Sequence, residues 1–252
     1  MKRFINSLLL TLAFSSILSA QKITVFAASD LRFALDEVKE KFLKQNKKSE
    51  VEMIYGSSGK GMHQIENGAP YHIYFSANMA FVEKLFAQGD IVTEPKLYAV
   101  GRIVLWSKHK NFNPELGFDN LKEPWVNKIA IANPSHAPYG EKAKQAMQKA
   151  GIYDEIKEKL VLGENISQTA GFIASEAADI GVIALSLALA PTIADTQNRD
   201  YFLIDAALHE PLMQGYGITK AGSSIELSQK FYDFLQTKEA DEIMKKYGFG
   251  VK

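Results

Sequence analysis

Four short stretches of this 252-residue chain combine hydroxyl side chains, small residues and a passage into a helical pattern. They are FAASDL (Phe26 to Leu31), YGSSGKG (Tyr55 to Gly61), NPSHAPYGEKA (Asn133 to Ala143) and GENISQTAGF (Gly163 to Phe172). Each offers hydroxyls or main-chain N–H groups at a predicted helix start, where unpaired donors and the helix dipole favour an anion. The chemistry these residues suit is capture of an oxyanion. One such stretch on its own is equally well read as a helix cap, but four drawn from both halves of the chain favour the anion.

YGSSGKG has the look of a nucleotide-binding phosphate loop and fails its test. That loop requires G-x-x-x-x-G-K-[ST], so that backbone wraps the phosphates and a hydroxyl reaches magnesium. Here only two residues separate Gly56 from Gly59, and Gly61 follows Lys60. Lys60 is therefore expected to be solvated and incidental, with Ser58 at a helix start as the useful residue. The five histidines (His63, His72, His109, His136, His209) show no zinc-site spacing. There is no G-x-S-x-G elbow to present a serine nucleophile. His136 lies in a candidate ligand loop, and Glu164 and Asp30 flank two others. Capping a helix explains both carboxylates equally well. A carboxylate facing a bound dianion is repulsive, so the Asp30 side chain is expected to turn away and leave its N–H as the donor.

These loops need strands and helices to hold them. KITVFAAS (Lys22 to Ser29) is β-branched and aromatic, hence a strand; the next segment places Leu31, Ala34, Leu35, Val38 and Phe42 on one helical face. Asp30 stands where a cap belongs. EVEMIYG and HIYFSA are two more strands, each followed by a helix. The pattern restarts with YAVGRIVLWS, predicted as one long strand over Tyr98–Ser107. NKIAIANPS, DIGVIALSLAL, YFLIDA and GYGITKAG follow as strands, and the closing segment from Ile225 to Phe249 reads as one amphipathic helix. Alternating strands and helices predict mostly parallel sheets with helices on both faces, and ligands at the carboxyl ends of strands. No Pro/Gly/Ser-rich linker interrupts the chain. The expected organisation is two touching α/β lobes, residues 21–100 plus 209–252 and residues 101–208, the first discontinuous.

The composition narrows the function classes. Lysine plus arginine equals aspartate plus glutamate at 29 each, which gives no electrostatic footprint for nucleic acid or an anionic membrane. Residues 1–20 combine Lys2 and Arg3, an apolar run from Leu8 to Leu18, and small Ser19 and Ala20, the pattern of a secretory signal peptide too short to span a membrane. There is no cysteine, so no disulfide, no thiolate ligand and no lipid-anchoring cysteine at the cleavage site. The expected location is a periplasm, with the processed protein soluble in it.

In order and spacing, KITVFAASDL, YGSSGKGMHQIENGAP, YFSAN, NPSHAPYG, GENISQTAGFI, DIGVIALS and IMKKYGF resemble the periplasmic molybdate-binding proteins of ABC transporters, of the type II periplasmic binding-protein fold. The resemblance covers essentially the whole chain after residue 20. It implies two α/β lobes closing on a tetrahedral oxyanion, molybdate and with it tungstate, for delivery to a membrane permease. It implies a non-catalytic monomer without cofactor. The contacts it implies fall on Ser29 with Asp30 beside it, Ser58, Tyr139 and, through its N–H, Ile166. Two departures stand out: Ala184 replaces a ligand tyrosine that many members carry, with Tyr139 matching a branch that supplies one from the PYG loop, and His72 replaces a common aspartate. Tyr139 is expected to offer both its amide and its hydroxyl.

A donor-only site admits a fully deprotonated oxyanion, such as sulfate, molybdate or tungstate; an inward Asp30 would instead favour protonated phosphate. The alternatives are thus a sulfate or phosphate carrier on the same fold, or an exported phosphate or sulfate ester hydrolase with Ser58 as nucleophile and His136 as base.

Overall fold

The computed structural model describes residues 21–194 and 200–250; the predicted signal peptide lies outside them. The first half builds one lobe. β1 (Lys22–Ala28) leads through a 3-10 turn into α1 (Arg32–Gln45), β2 (Glu50–Gly56) into α2 (Ser58–Glu66), and β3 (Ile73–Ser76) into α3 (Met79–Gln88). The chain then runs through β4 (Lys96–Gly101) into β5 (Ile103–Trp106), which belongs to the other lobe. That lobe continues with β6 (Ile129–Ala132), α4 (Pro138–Lys149), α5 (Tyr153–Ile156), β7 (Leu160–Gly163), α6 (Ile166–Ala174), β8 (Ile180–Ala184), α7 (Leu185–Ala188), α8 (Pro191–Ala194) and β9 (Tyr201–Leu203). β10 (Leu212–Ile218) returns to the first lobe, and α9 (Glu226–Phe234) and α10 (Lys238–Lys246) close it.

Each lobe holds a five-stranded sheet, in the orders β2-β1-β3-β10-β4 and β7-β6-β8-β5-β9. β1 pairs in parallel with β2 and β3, and β6 with β7 and β8, as strand–helix alternation requires. The antiparallel members are β10, β4, β5 and β9, the strands next to the crossings between lobes. The sheets are therefore mixed.

The sequence predicts one strand where β4 and β5 are two. Arg102 separates them, with Gly101 opposite Leu212 in one sheet and Ile103 opposite Ala184 in the other. The run is apolar throughout because both sheets bury it, so no pattern marks the break. The single closing helix is also divided, because the Thr237 side chain accepts a hydrogen bond from the Ala240 N–H and starts α10 anew.

Alternation along β1 sorts the core. Ile23, Val25 and Ala27 pack with α1, α9 and α10, while Phe26 faces the opposite layer with Met62, Ile65 and Tyr74. The departure at His72 acquires a structural role here. Its Nδ1 accepts from the Thr24 N–H at 2.7 Å, while its own N–H donates to the Thr24 carbonyl at 2.8 Å. Burial lowers the His72 pKa, which suits an accepting ring.

Candidate functional site

Four strand ends deliver the four loops to one place. Ser29 and Asp30 follow β1, Ser57 and Ser58 follow β2, the loop after β6 opens α4 at Pro138, and the loop after β7 opens α6 at Ile166. The loops converge where the lobes meet, around a narrow cavity of about 10 Å³. Its wall includes Ser29, Asp30, Ser58, Tyr139 and Ile166, the five residues singled out from sequence, together with Ser57. No lysine or arginine lines it. All five are at most 4% exposed.

Hydrogen bonds across the lobes hold this closed arrangement. Ser29 Oγ donates to Asn165 Oδ1 at 3.1 Å and accepts from the Ser167 N–H at 3.2 Å; Ser167 Oγ donates to the Ser29 carbonyl at 2.8 Å. Asn165 caps α6 by accepting from the Gln168 N–H. Gly59 N–H donates to the His136 carbonyl at 3.0 Å, and Ser57 Oγ donates to the same oxygen at 2.6 Å. Ser186 Oγ donates to the Asp30 carbonyl at 2.9 Å.

The glycines of YGSSGKG serve close approach. A Cβ on Gly59 would lie 2.7 Å from the His136 carbonyl oxygen, and one on Gly61 would lie 2.2 Å from the Phe26 ring. Lys60 is half exposed, in line with a solvated lysine, and it also pairs with Glu164 of the opposite lobe, with His136 Nε2 3.8 Å from the same carboxylate. This rim pair is half exposed and contributes little to stability.

Ser58 Oγ accepts from the Ala77 N–H at 2.9 Å, which leaves its own proton to donate. His136 is no base for it. The His136 Nδ1 contact is with Ser57 Oγ at 2.8 Å, and the Ser57 proton is already directed at the His136 carbonyl, so Nδ1 carries a proton and donates. Burial lowers the His136 pKa, with Glu164 opposing and Lys60 assisting.

Asp30 does turn its carboxylate toward the protein, and there it claims the Tyr139 hydroxyl. Tyr139 Oη donates to Asp30 Oδ2 at 2.9 Å, so its single proton is spent, against the expectation that this hydroxyl would be free for a ligand. Gln214 Nε2 bridges the pair, 3.2 Å from Asp30 Oδ2 and 2.8 Å from Tyr139 Oη. Asp30 Oδ1 and Gln214 Oε1 are buried with no hydrogen-bond partner. Burial drives the Asp30 pKa up to about 6, against the hydrogen bonds from Tyr139 and Gln214. Burial and then the Asp30 charge raise the Tyr139 pKa well above its ordinary value. Gln214 was missed in the sequence; a lone amide in the otherwise apolar and glycine-rich strand LMQGYGI is the signal that marks it. Ala184 ends β8 opposite Ile103, fully buried.

No group of three or more metal-ligating side chains forms among the described residues, nor is any described helix long and apolar enough to cross a membrane. The arrangement instead supplies hydroxyls and the starts of α2, α4 and α6, in a buried setting where charge-assisted hydrogen bonds are strong.

Comparison with known proteins follows the same lines. Residues 23–250 match the family described as bacterial extracellular solute-binding protein. The molybdate-binding protein ModA of Rhodobacter capsulatus is 33% identical over 200 residues, covering 79% of this chain and 77% of the relative. That of Azotobacter vinelandii is 31% identical over 234 residues, covering 92% and 91%. The solved Azotobacter vinelandii periplasmic molybdate-binding protein superposes with a TM-score of 0.84 at 31% identity, over 91% of this chain and 99% of that one. The chain belongs to the bacterial extracellular solute-binding protein family and, within it, to the molybdate-binding proteins.

Proposed function

We propose that this protein captures molybdate, and with it tungstate, in the periplasm and delivers the ion to the permease of an ABC transporter without transforming it. The observation that carries this reading is the narrow cavity of about 10 Å³ where the lobes meet, walled by hydroxyls and helix starts and without a lysine or arginine. It is far smaller than the roughly 300–1,000 Å³ of sites for organic ligands, and donors without a countercharge suit a compact, fully deprotonated oxyanion. Ser58 Oγ and the helix-start N–H groups of Tyr139 and Ile166 are the proposed donors, with the Asp30 N–H completing the set; Ser29 Oγ, whose proton is held by Asn165 Oδ1, joins them by turning that proton to the ion. Molybdate is preferred over sulfate because the relatives that match over most of their length are named for it. The lobes in this reading are residues 21–100 with 209–252, and 101–208, and the carrier acts as a monomer without cofactor.

A second reading, hydrogen phosphate, is favoured by one feature, the unpartnered Asp30 Oδ1, which could accept the proton that phosphate brings. Calorimetric titration of the processed protein with molybdate, tungstate, sulfate and phosphate decides between them. Micromolar or tighter binding of the first two, with weak sulfate and phosphate, is expected. Heat from phosphate or sulfate alone would overturn the assignment. The ester-hydrolase reading has no support in the geometry, since no base faces Ser58 Oγ.

A further inference from the structure

Asp30 is the one carboxylate in the cavity wall, and the groups facing it are neutral. They are the Tyr139 hydroxyl from α4 and the Gln214 amide from β10, at hydrogen-bond distance, with the Tyr98 phenol of β4 close enough to feel its charge. Ser186, at the start of α7, reaches only its main-chain carbonyl. Among the described residues no lysine or arginine forms an ion pair with it. The other charged groups between the lobes lie outside the cavity wall: Lys60, Glu164 and His136 interact at one rim, Lys142 pairs with Glu141 and Glu210 beside another pocket with Glu83, and Arg32 lines a third. An ionised Asp30 thus has only neutral donors, the Tyr139 hydroxyl, the Gln214 amide and the main-chain N–H groups of Asp30 and Leu31, with Oδ1 left without a partner and no countercharge.

A dianion entering this cavity brings like charge against that carboxylate in surroundings that screen poorly, and like charge favours the protonated acid. Resting on the anion-capture reading above, we infer that Asp30 takes up one proton from solvent as the dianion enters, so that capture and neutralisation of this carboxylate are one event. No bond to the ion is made or broken; the proton ends on a carboxyl oxygen. The surroundings can receive the acid form. Gln214 Oε1 is a buried acceptor with no donor, and a half-turn of that amide offers it to the Asp30 O–H. The Tyr139 proton, held by Asp30 Oδ2 in the ionised form, is then released to a new acceptor. Asp30 is accordingly a positioning residue that sets how strongly the site favours a dianion at a given pH. Burial already brings its titration to about 6, within reach of further displacement near neutrality.

The test is calorimetric titration of the processed protein with sodium molybdate at pH 7.5, in two buffers of different ionisation enthalpy, which counts protons exchanged. Uptake approaching one proton per ion is expected, with Kd rising toward tenfold per pH unit between about pH 6 and the higher titration point of the complex. Asp30→Asn keeps a neutral partner for Tyr139 and Gln214, so it is expected to bind molybdate with no net uptake and a flat pH profile. His136→Gln is expected to retain the uptake. The inference falls if the wild-type protein binds molybdate without proton exchange, or if Asp30→Asn takes up as many protons as the wild type. Should Asp30→Asn not fold, Tyr139→Phe reads the same point. Removing a hydrogen bond that favours ionised Asp30 should move the pH profile upward, and an unmoved profile counts against Asp30. If molybdate gives no heat in any buffer while sulfate or tungstate does, the cargo assignment fails; the proton count with the ion that binds then decides the coupling separately. Binding of none of these dianions would end both.

Discussion

Gly59→Ala places one methyl group between the lobes and separates two quantities that other substitutions mix. The added Cβ would lie 2.7 Å from the His136 carbonyl oxygen and 3.1 Å from its Cα, and both are backbone atoms of the opposite lobe. Restoring an ordinary contact of 3.4 Å requires the loops to part by about 0.7 Å at this point, and main chain cannot rotate aside as a side chain would. The cost includes the Gly59 N–H hydrogen bond, about 1 kcal/mol, and weakening of the Ser57 contact to the same oxygen by a similar amount. A loss of about 2 kcal/mol in closure corresponds to molybdate binding roughly 30-fold weaker. Inside α2 the same change is favourable, because alanine is the better helix former by about 0.5–1 kcal/mol. Calorimetric affinity should therefore fall while the ligand-free melting temperature holds or rises slightly. Wild-type affinity within about twofold would refute the reasoning, since it would mean that the ion binds without the lobes meeting at Gly59.

Other substitutions probe the remaining parts. Ser58→Ala removes a hydroxyl donor and the acceptor for the Ala77 N–H; binding should weaken about tenfold, read by calorimetry, with a melting-point loss equivalent to about 1 kcal/mol. Lys60→Ala breaks the rim pair and should change affinity by less than about threefold, the difference vanishing as salt rises; a large salt-independent loss would place Lys60 at the ion. Asp30 also predicts a pH dependence of stability without ligand. Its folded pKa, about 6, lies above the ordinary value of 3.8, so the folded protein holds more protons between these values and stability falls as pH rises through the window. Asp30→Asn should remove that fall, worth about 3 kcal/mol across the window by melting-curve comparison with wild type. An identical pH profile in the two proteins would contradict the burial of an ionisable Asp30.

Most of the site was legible because its residues follow strands directly. Strand ends and helix starts leave a pattern, which marks the four loops; the resemblance to a known family then named Ser29, Asp30, Ser58, Tyr139 and Ile166 within them, and all five line the cavity. What was not legible depends on contacts between segments distant in sequence. Gln214 reaches Asp30 from 184 residues away, on the strand that returns from the second lobe. Lys60 acquires its partner only when Glu164 closes over it, and Gly59 shows its purpose only beside His136. The division of β4 from β5 was hidden for a different reason: hydrophobic pattern reports burial, and it cannot report which of two sheets does the burying.

The bonds joining Ser29 to Asn165, Gly59 to His136 and Ser186 to Asp30 also have a kinetic meaning. An ion enclosed behind them leaves no faster than the lobes part, whatever its own affinity for the donors. Molybdate and tungstate should accordingly share one dissociation rate set by the protein, even where their equilibrium constants differ. A membrane partner that holds the lobes open then controls release without touching the ion, and it discharges whatever the cavity has accepted at a single rate.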